Sequence, residues 1–556
     1  MVKIYEMNKK ILSRQDIINL IADGKVIVIY KQHVLNLSSW IKKHPGGDKA
    51  VFHMIGRDAT DEMNAYHSDT TISIFKKWSI GEINYCWENL LPPIQGGKYS
   101  LKYKNKHLDE KLDNDSMEDS SSTSSSINEE FINKGAGVVV NIDPVVPQNK
   151  IVTKDIKEEV FPIKSIIVNP KDILKNYDNG LSQNDLTSIP SLDYKTQRYL
   201  RDRYNLLHQT IIKNGFYQCD YWSYVREVVK IGSLFLYSLI FLKTGYLFLS
   251  ALCMGMAWHQ GTFIAHDAGH VSITHNYQID NLFGMCIADW FGGLSLGWWK
   301  RNHNVHHLIT NDPIHDPDIQ HLPFFAVSVR LFENVYSTYY DKYLPFDKFC
   351  EKLIPLQKYL YYPILCFGRF NLYRLSWTHL ILGQGPRKGK AAWFRYFELA
   401  GLSFFFYWFF YMLIGSIHGG WNKFNYIMVS HIATMLVHVQ ITLSHFAMST
   451  SDLGVSESFP SRQLRTTMDV DCPEWLDFFH GGLQFQAIHH LFPRLPRHNL
   501  RKVQPFVIDF CKDVGLSYSI YGFGEGNGIV IGKLGDIGHQ CSILLDAVKK
   551  YDGDLH

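Results

Sequence analysis

The sequence predicts a multi-domain chain in which a small α+β domain precedes an all-α integral membrane domain with about four transmembrane helices. The 556 residues are too many for one ordinary hydrophobic core. Residues 399–417 contain no charged side chain, and residues 426–446 contain none apart from histidine. Each of these stretches is about long enough to cross the hydrocarbon layer of a membrane.

The composition excludes several classes of protein. The 56 Lys and Arg against 53 Asp and Glu give a net charge of +3, which argues against nucleic-acid binding driven by bulk electrostatics. The nine cysteines form no C-x-x-C pair, so no zinc finger is expected and the thiols are predicted to be reduced. The first ten residues lack the apolar core of a signal peptide, so we expect the first domain to stay in the cytosol.

Residues 1–95 are predicted to form the first domain, with a strand at residues 26–30. Its distinctive segment is H-P-G-G, from His44 to Gly47, which is followed later by His67. A plain Pro-Gly-Gly turn is the alternative interpretation. The two segments together resemble the cytochrome b5 family, and that resemblance implies heme b with His44 and His67 as its axial ligands. Two imidazoles fill both axial positions, which suits electron transfer.

The chain between the two predicted domains changes composition twice. Residues 96–160 are charged and then rich in serine, as in a flexible linker. Residues 161–230 are predicted to be a membrane-surface or adaptor segment, and a soluble helical adaptor is equally compatible. Residues 231–520 are the predicted membrane domain, and residues 521–556 a C-terminal cytosolic tail. The glycine-rich residues 522–528 lack the G-x-G-x-x-G spacing of a nucleotide site and predict a flexible turn.

Four apolar stretches in the membrane domain predict two helical hairpins, at residues 231–242 with 245–265 and at residues 399–417 with 426–446. A hairpin returns the chain to the side from which it started. The segments that follow the hairpins, and the loop between them, are therefore expected on the same cytosolic side as the first domain.

Three polar segments at the edges of these apolar regions are rich in histidine. Residues three and four apart share one face of a helix, so the side chains within each segment should converge. Among 26 histidines one such pattern can arise by chance, but three together predict a metal site. The segments contain His266 and His270, then His303, His306 and His307, and finally Gln486, His489 and His490.

In order, H-D-A-G-H, H-N-V-H-H and Q-A-I-H-H resemble the membrane fatty-acyl and sphingolipid desaturases, specifically the front-end group with a fused cytochrome b5 domain. The resemblance implies two iron ions, with dioxygen as the co-substrate, that remove hydrogen atoms from neighbouring methylenes of a lipid chain. Imidazole suits iron. No catalytic residue is expected beyond the metal ligands. The implied ligands are His266, His270, His303, His306, His307, His445, Gln486, His489 and His490.

For two of these ligands the sequence leaves alternatives. His445 best matches a further histidine on the last span, but His431 and His438 lie in the same segment, and a buried histidine is often only hydrogen-bonded. The amide oxygen of Gln486 is a poorer iron donor than imidazole, so a water-mediated contact or substrate positioning is its alternative. Asp267 is predicted to orient a ligand histidine.

The substrate is suggested by the loops around the histidine segments. Residues 310–320 (TNDPIHDPDIQ), Ile488 and residues 491–499 (LFPRLPRHN) resemble the fungal branch of the sphingolipid delta-8 desaturases. This implies a sphingoid base within ceramide, desaturated between carbons 8 and 9, in the endoplasmic reticulum membrane, with NADH-cytochrome b5 reductase as the electron source. Within the first loop, His315 and Asp316 are predicted to be structural.

Two alternative functions stay open at this point. A front-end acyl-lipid desaturase acting at another carbon, or a lipid hydroxylase, would use the same irons. A non-catalytic membrane protein that binds heme and metal is the alternative of another class. Metal transport would favour polar residues through the depth of the spans, whereas here the histidine segments lie at one edge.

Overall fold

The computed structural model describes residues 10–99, 138–139, 167–168 and 170–553. The predicted linker, residues 96–160, lies outside the described residues except for 96–99 and 138–139.

The N-terminal domain is a three-stranded antiparallel sheet surrounded by short helices. The strands are in the order β1-β2-β3, and Val34 pairs with Gly81. The predicted strand at residues 26–30 corresponds to β1, whose unbroken apolar sequence is explained by the burial of all its residues. The elements are α1 (Arg14–Ala22), β1 (Ile27–Tyr30), β2 (His33–Asn36), α2 (Asp48–Phe52), α3 (Thr60–Tyr66), α4 (Asp69–Phe75) and β3 (Ser79–Glu82).

The rest of the described chain is mostly helical, with three short two-stranded pairings. Segments Cys286–Phe291 and Phe406–Leu413 are π-helical. The strands are β4 (Val138–Val139), β5 (Ile167–Val168), β6 (Val335–Ser337), β7 (Lys342–Leu344), β8 (Asp469–Asp471) and β9 (Ile520–Gly522). The helices are α5 (Pro170–Ser188), α6 (Tyr194–Lys213), α7 (Tyr221–Lys243), α8 (Leu247–Gly269), α9 (Tyr277–Met285), α10 (Leu296–Leu308), α11 (Lys348–Leu353), α12 (Gln357–Leu365), α13 (Gly368–Leu382), α14 (Phe394–Phe405), α15 (Ile414–Ser416), α16 (Gly420–Ala433), α17 (Met435–Phe446), α18 (Phe459–Thr466), α19 (Asp477–His480), α20 (Gln486–Leu491), α21 (Leu500–Val514) and α22 (Phe523–Gly553).

The first predicted hairpin is formed by α7 and α8, which pack against each other along their length. The chain reverses through Gly245, whose φ of +86° lies in the region that favours glycine. Across the pair, the Ser238 hydroxyl donates a hydrogen bond to the Ser250 carbonyl at 2.8 Å. Helix α8 also packs against α16 of the second hairpin, so the two hairpins form one bundle.

Two helical stretches among the described residues are long and apolar enough to cross a membrane, Gly389–Ser416 and Gly420–Phe446. The first contains the predicted span at residues 399–417 except for residue 417, and the second contains all of the predicted span at residues 426–446. The first hairpin is less uniformly apolar, because α7 carries Arg226, Glu227 and Lys230 in its first half. Two of the four predicted spans are therefore supported by length and composition, and the other two are not confirmed and stay a prediction.

The flexible turn predicted at residues 522–528 is wrong, because β9 ends at Gly522 and α22 begins at Phe523. Glycine disfavours an isolated helix, but here it allows close packing. A Cβ atom added to Gly526 would lie 2.9 Å from the Met468 side chain and 3.1 Å from Leu443. Tertiary contact thus overrides local propensity in this helix.

The N-terminal domain lies directly against α10 and the turn between β6 and β7. The Asn304 amide donates a hydrogen bond to the Gly46 carbonyl at 3.0 Å, and the Lys49 ammonium lies 2.6 Å from the Asp341 carboxylate. The H-P-G-G turn and the second histidine segment are therefore neighbours in space.

Candidate heme site and metal centre

His44 and His67 face each other in the N-terminal domain, with ring centroids 6.2 Å apart. The Nδ1–H of His44 donates to the Gly47 carbonyl at 2.6 Å, and that of His67 donates to the Met63 carbonyl at 3.0 Å. A carbonyl oxygen can only accept, so each ring carries its proton on Nδ1. The Nε2 atoms are left free to bind a metal.

Both rings are held in the neutral state. Burial lowers the pKa of His44 and lowers the pKa of His67 to about 3. The Trp40 ring packs against His44, with ring centroids 5.2 Å apart, and the Phe75 ring packs against His67, with ring centroids 5.1 Å apart. Two facing, neutral, pre-oriented imidazoles with apolar neighbours fit the bis-histidine heme that the sequence motif implies.

Four of the predicted ligands form a first histidine cluster, defined as His266, His270, His303 and His489. Their ligand atoms all lie within 4.8 Å of one another. The first two come from the end of α8, and the others from α10 and α20. All but His266 are buried. Three segments far apart in the chain therefore place imidazoles around one point.

Three others form a second histidine cluster, defined as His306, His445 and His490, also within 4.8 Å and all buried. The Nε2 atoms of His306 and His445 lie 3.3 Å apart. His307 lies between the clusters, with ring centroids 4.8 Å from His270 and 4.0 Å from His490. Each of the two clusters could hold a metal ion.

Local sequence explains why α10 presents its histidines in this way. Ser295 caps the helix, because its hydroxyl accepts a hydrogen bond from the Trp298 amide at 3.0 Å. The Trp299 ring stacks on that of His303, with ring centroids 4.5 Å apart. This ring lies so close to α8 that a Cβ atom on Gly269 would come within 2.1 Å of it, so only glycine fits at that position of H-D-A-G-H.

The clusters contain buried ring nitrogens that have no hydrogen-bond partner among the described residues, which is costly unless something binds them. Burial also lowers the pKa of His307 and of His489 well below the ordinary value, which keeps the metal-binding neutral form. The donor set therefore fits metal ions such as iron. The unpartnered atoms are Nε2 of His270, His489 and His490, and Nδ1 of His307 and His445.

Two acidic residues orient the α10 histidines. The Nδ1–H of His306 donates to Asp316 at 2.8 Å, and that of His303 donates to Asp318 at 3.1 Å. Such a carboxylate fixes the ring and directs Nε2 toward a metal. The sequence predicts a structural role for Asp316 and does not single out Asp318. The signal that could have found them is the D-P-D sequence shortly after the second histidine segment.

Gln463 plays the same part for the second cluster. The Nδ1–H of His490 donates a hydrogen bond to the amide oxygen of Gln463 at 2.9 Å. The amide NH₂ group of Gln463 in turn donates to the His307 carbonyl at 2.8 Å. No sequence motif marks this residue. Asp267, which was singled out, has one carboxylate oxygen 3.5 Å from Nδ1 of His266 and accepts a hydrogen bond from the Tyr224 hydroxyl at 2.6 Å.

The candidates on the last span are placed differently from one another. His445 lies in the second cluster, whereas His431 stacks on Phe370 at 4.5 Å and its Nε2 lies 3.1 Å from the Tyr373 hydroxyl. Gln486 is buried at the start of α20, and its side-chain oxygen has no hydrogen-bond partner among the described residues.

Comparison with known proteins matches both parts of the chain. Residues 10–84 match the cytochrome b5-like heme/steroid binding domain, and residues 244–522 match the fatty acid desaturase family. Three curated relatives are each named Delta 8-(E)-sphingolipid desaturase. The chain is 73% identical to that of Candida albicans over 99% of both chains. It is 60% identical to that of Kluyveromyces lactis, over 97% of this chain and 95% of the relative, and 50% identical to that of Emericella nidulans, over 97% and 96%.

Proposed function

Because the chain belongs to the fatty acid desaturase family and carries a cytochrome b5-like domain, and is therefore an oxidoreductase, we propose that it is a Delta 8-(E)-sphingolipid desaturase. The 73% identity to a protein of that name over 99% of both chains carries this proposal. The substrate would be the sphingoid base of a ceramide, and the product would hold a trans double bond between carbons 8 and 9.

We propose that two iron ions occupy the two histidine clusters. When bound, they supply the chemistry that activates dioxygen and removes hydrogen from two neighbouring methylenes. The protein's part is to hold neutral imidazoles in place, because no side chain acts as a nucleophile. Asp316, Asp318 and Gln463 fix which ring nitrogens face inward. The proposed ligands are His266, His270, His303, His306, His307, His445, Gln486, His489 and His490, with Gln486 either direct or through water.

The fused domain is proposed to supply electrons through heme b bound by His44 and His67. Its contact with α10 supports this role, since Asn304, beside His303 in the chain, donates a hydrogen bond to Gly46. NADH-cytochrome b5 reductase would reduce the heme. The protein is proposed to lie in the endoplasmic reticulum membrane, with four spans and with both sites facing the cytosol.

The test is lipid analysis in a host that lacks delta-8 unsaturated sphingoid bases. The chain is expressed beside a matched His306→Ala variant, and the released bases are analysed by mass spectrometry with location of double bonds. A new trans bond between carbons 8 and 9, made by the parent and not by the variant, is expected. Altered fatty acids with unchanged bases would indicate an acyl-lipid desaturase, a hydroxyl group would indicate a hydroxylase, and no change in lipids would support a non-catalytic protein.

A further inference from the structure

Tyr66 connects the two redox sites. It immediately precedes the heme-site histidine His67, at the end of α3. Its ring meets the ring of His307 edge to face, with centroids 6.0 Å apart and an interplanar angle of 87°. Since aromatic rings at this separation are in contact, one residue bridges the N-terminal domain and the metal centre.

The rest of the molecule holds this contact in place. Arg201 of α6 donates to Asp61 at 2.7 Å and to Asp58 at 2.8 Å, which ties α3 and the preceding turn to the larger domain. The Tyr66 ring also packs against the apolar core that contains Ala487 and Ile488, next to His489 in the chain. Tyr66 is thus packed between the two sites.

We propose that the ring of Tyr66 is the bridge through which electrons pass from the heme held by His44 and His67 to the metal centre at His307. The inference rests on the proposed function. In each step one electron leaves the reduced heme iron and enters the metal centre, while no bond forms or breaks at Tyr66. Two steps supply the two electrons which, with two protons and the two hydrogens of the lipid, reduce one dioxygen to two waters.

The hydroxyl group of Tyr66 takes no part in this transfer. Its oxygen is buried and has no hydrogen-bond partner among the described residues. Oxidation of tyrosine would require a base to accept the phenolic proton, and no base among the described residues is hydrogen-bonded to this oxygen. The electron therefore crosses the ring without oxidising it, and phenylalanine should serve as well as tyrosine.

Stopped-flow reoxidation of the heme provides the test. Full-length protein in ceramide-containing detergent micelles is reduced with dithionite, then mixed with oxygen, and heme absorbance is followed. Tyr66→Leu keeps apolar bulk but removes the ring, and Tyr66→Phe restores the ring alone. Tyr85→Leu is the matched control, since the Tyr85 ring packs against Trp87, with centroids 6.3 Å apart, and among the described residues has no ring contact with a heme-site or cluster histidine. Heme spectrum and iron content are measured for each variant to verify that both sites are loaded.

Tyr66→Leu should slow reoxidation at least severalfold, because loss of the ring opens a gap in the packed path between the heme site and His307. Tyr66→Phe and Tyr85→Leu should reoxidise at the parent rate. A parent rate in Tyr66→Leu, or equal slowing in Tyr66→Phe, would overturn the proposal. Failure of the proposed function is visible separately, because parent protein stripped of iron by a chelator would then reoxidise as fast as loaded parent.

Discussion

Asp316 accepts a hydrogen bond from Nδ1–H of His306 at 2.8 Å, and both side chains are fully buried. This pair directs the other ring nitrogen of His306 toward His445, 3.3 Å away on a span 139 positions further along the chain. A loop carboxylate thereby sets the orientation of a histidine between two parts of the membrane domain.

Asp316→Asn should weaken iron binding by about 10- to 100-fold, the usual effect of losing such an orienting partner. Asp316 accepts at both oxygens, from His306 and Asn311 at one and from the Asp318 amide at the other. Asparagine must turn its NH₂ group toward one of these donors. Iron content after dialysis against graded chelator measures the change, with exposed Asp471→Asn as the control. Unchanged iron retention would contradict the orienting role.

The two cofactor sites should be separable by mutation. His44→Ala or His67→Ala should abolish the b-type heme spectrum and desaturation while iron stays bound. His306→Ala should abolish desaturation while the heme spectrum persists. Absorption spectra and iron analysis of each purified variant check this. Iron loss in His44→Ala would show that the two sites do not bind independently.

Glu62 should make stability depend on pH. Burial raises its pKa to about 7 from an ordinary value of 4.5. Because the pKa of Glu62 is higher in the folded than in the unfolded state, ionisation of Glu62 destabilises the folded state. The free energy of unfolding should therefore fall as pH rises from about 4.5 to about 7, by roughly 3 kcal/mol at most. Glu62→Gln should remove this slope.

The measurement for Glu62 is the midpoint of thermal loss of the native heme spectrum at several pH values. Parent and variant are compared by the slope of this midpoint against pH and not by its absolute value. The reason is that the substitution also removes the negative neighbour of Arg57 at high pH. Identical slopes in parent and variant would show that Glu62 titrates normally in the fold.

Arg201→Ala should loosen the docked N-terminal domain. The change leaves Asp61 buried without its cation, and breaking such a pair costs roughly 3–5 kcal/mol. Faster amide hydrogen exchange across Thr60–Tyr66 is expected. Arg203→Ala, on the same helix but with its partly exposed guanidinium paired with Asp513 of α21, is the control. Equal protection in both variants would mean that Arg201 does not hold this contact.

Prediction from sequence succeeded where the signal was local. The strand at residues 26–30 was an unbroken apolar run, and the two most apolar spans lack charged residues over a membrane's thickness. It failed at residues 522–528, where four glycines indicated a turn, because the contacts of Gly526 with Met468 and Leu443 lie far away in the chain. The first hairpin formed as helices, but neither α7 nor α8 is among the stretches long and apolar enough to cross a membrane, so its two spans are not confirmed.

By itself, the sequence determined that histidines at i, i+3 and i+4 would share helix faces, because helix geometry links residues within one turn. The pairing of His44 with His67 came instead from the resemblance of their two segments to the cytochrome b5 family. Only the tertiary structure decided how the histidines divide, with His303 joining His266 and His306 joining His445. The contact of the Tyr66 ring with the His307 ring was also decided only by the tertiary structure. Such contacts join different elements that are far apart in the chain, so they depend on how whole helices pack, which no local pattern encodes.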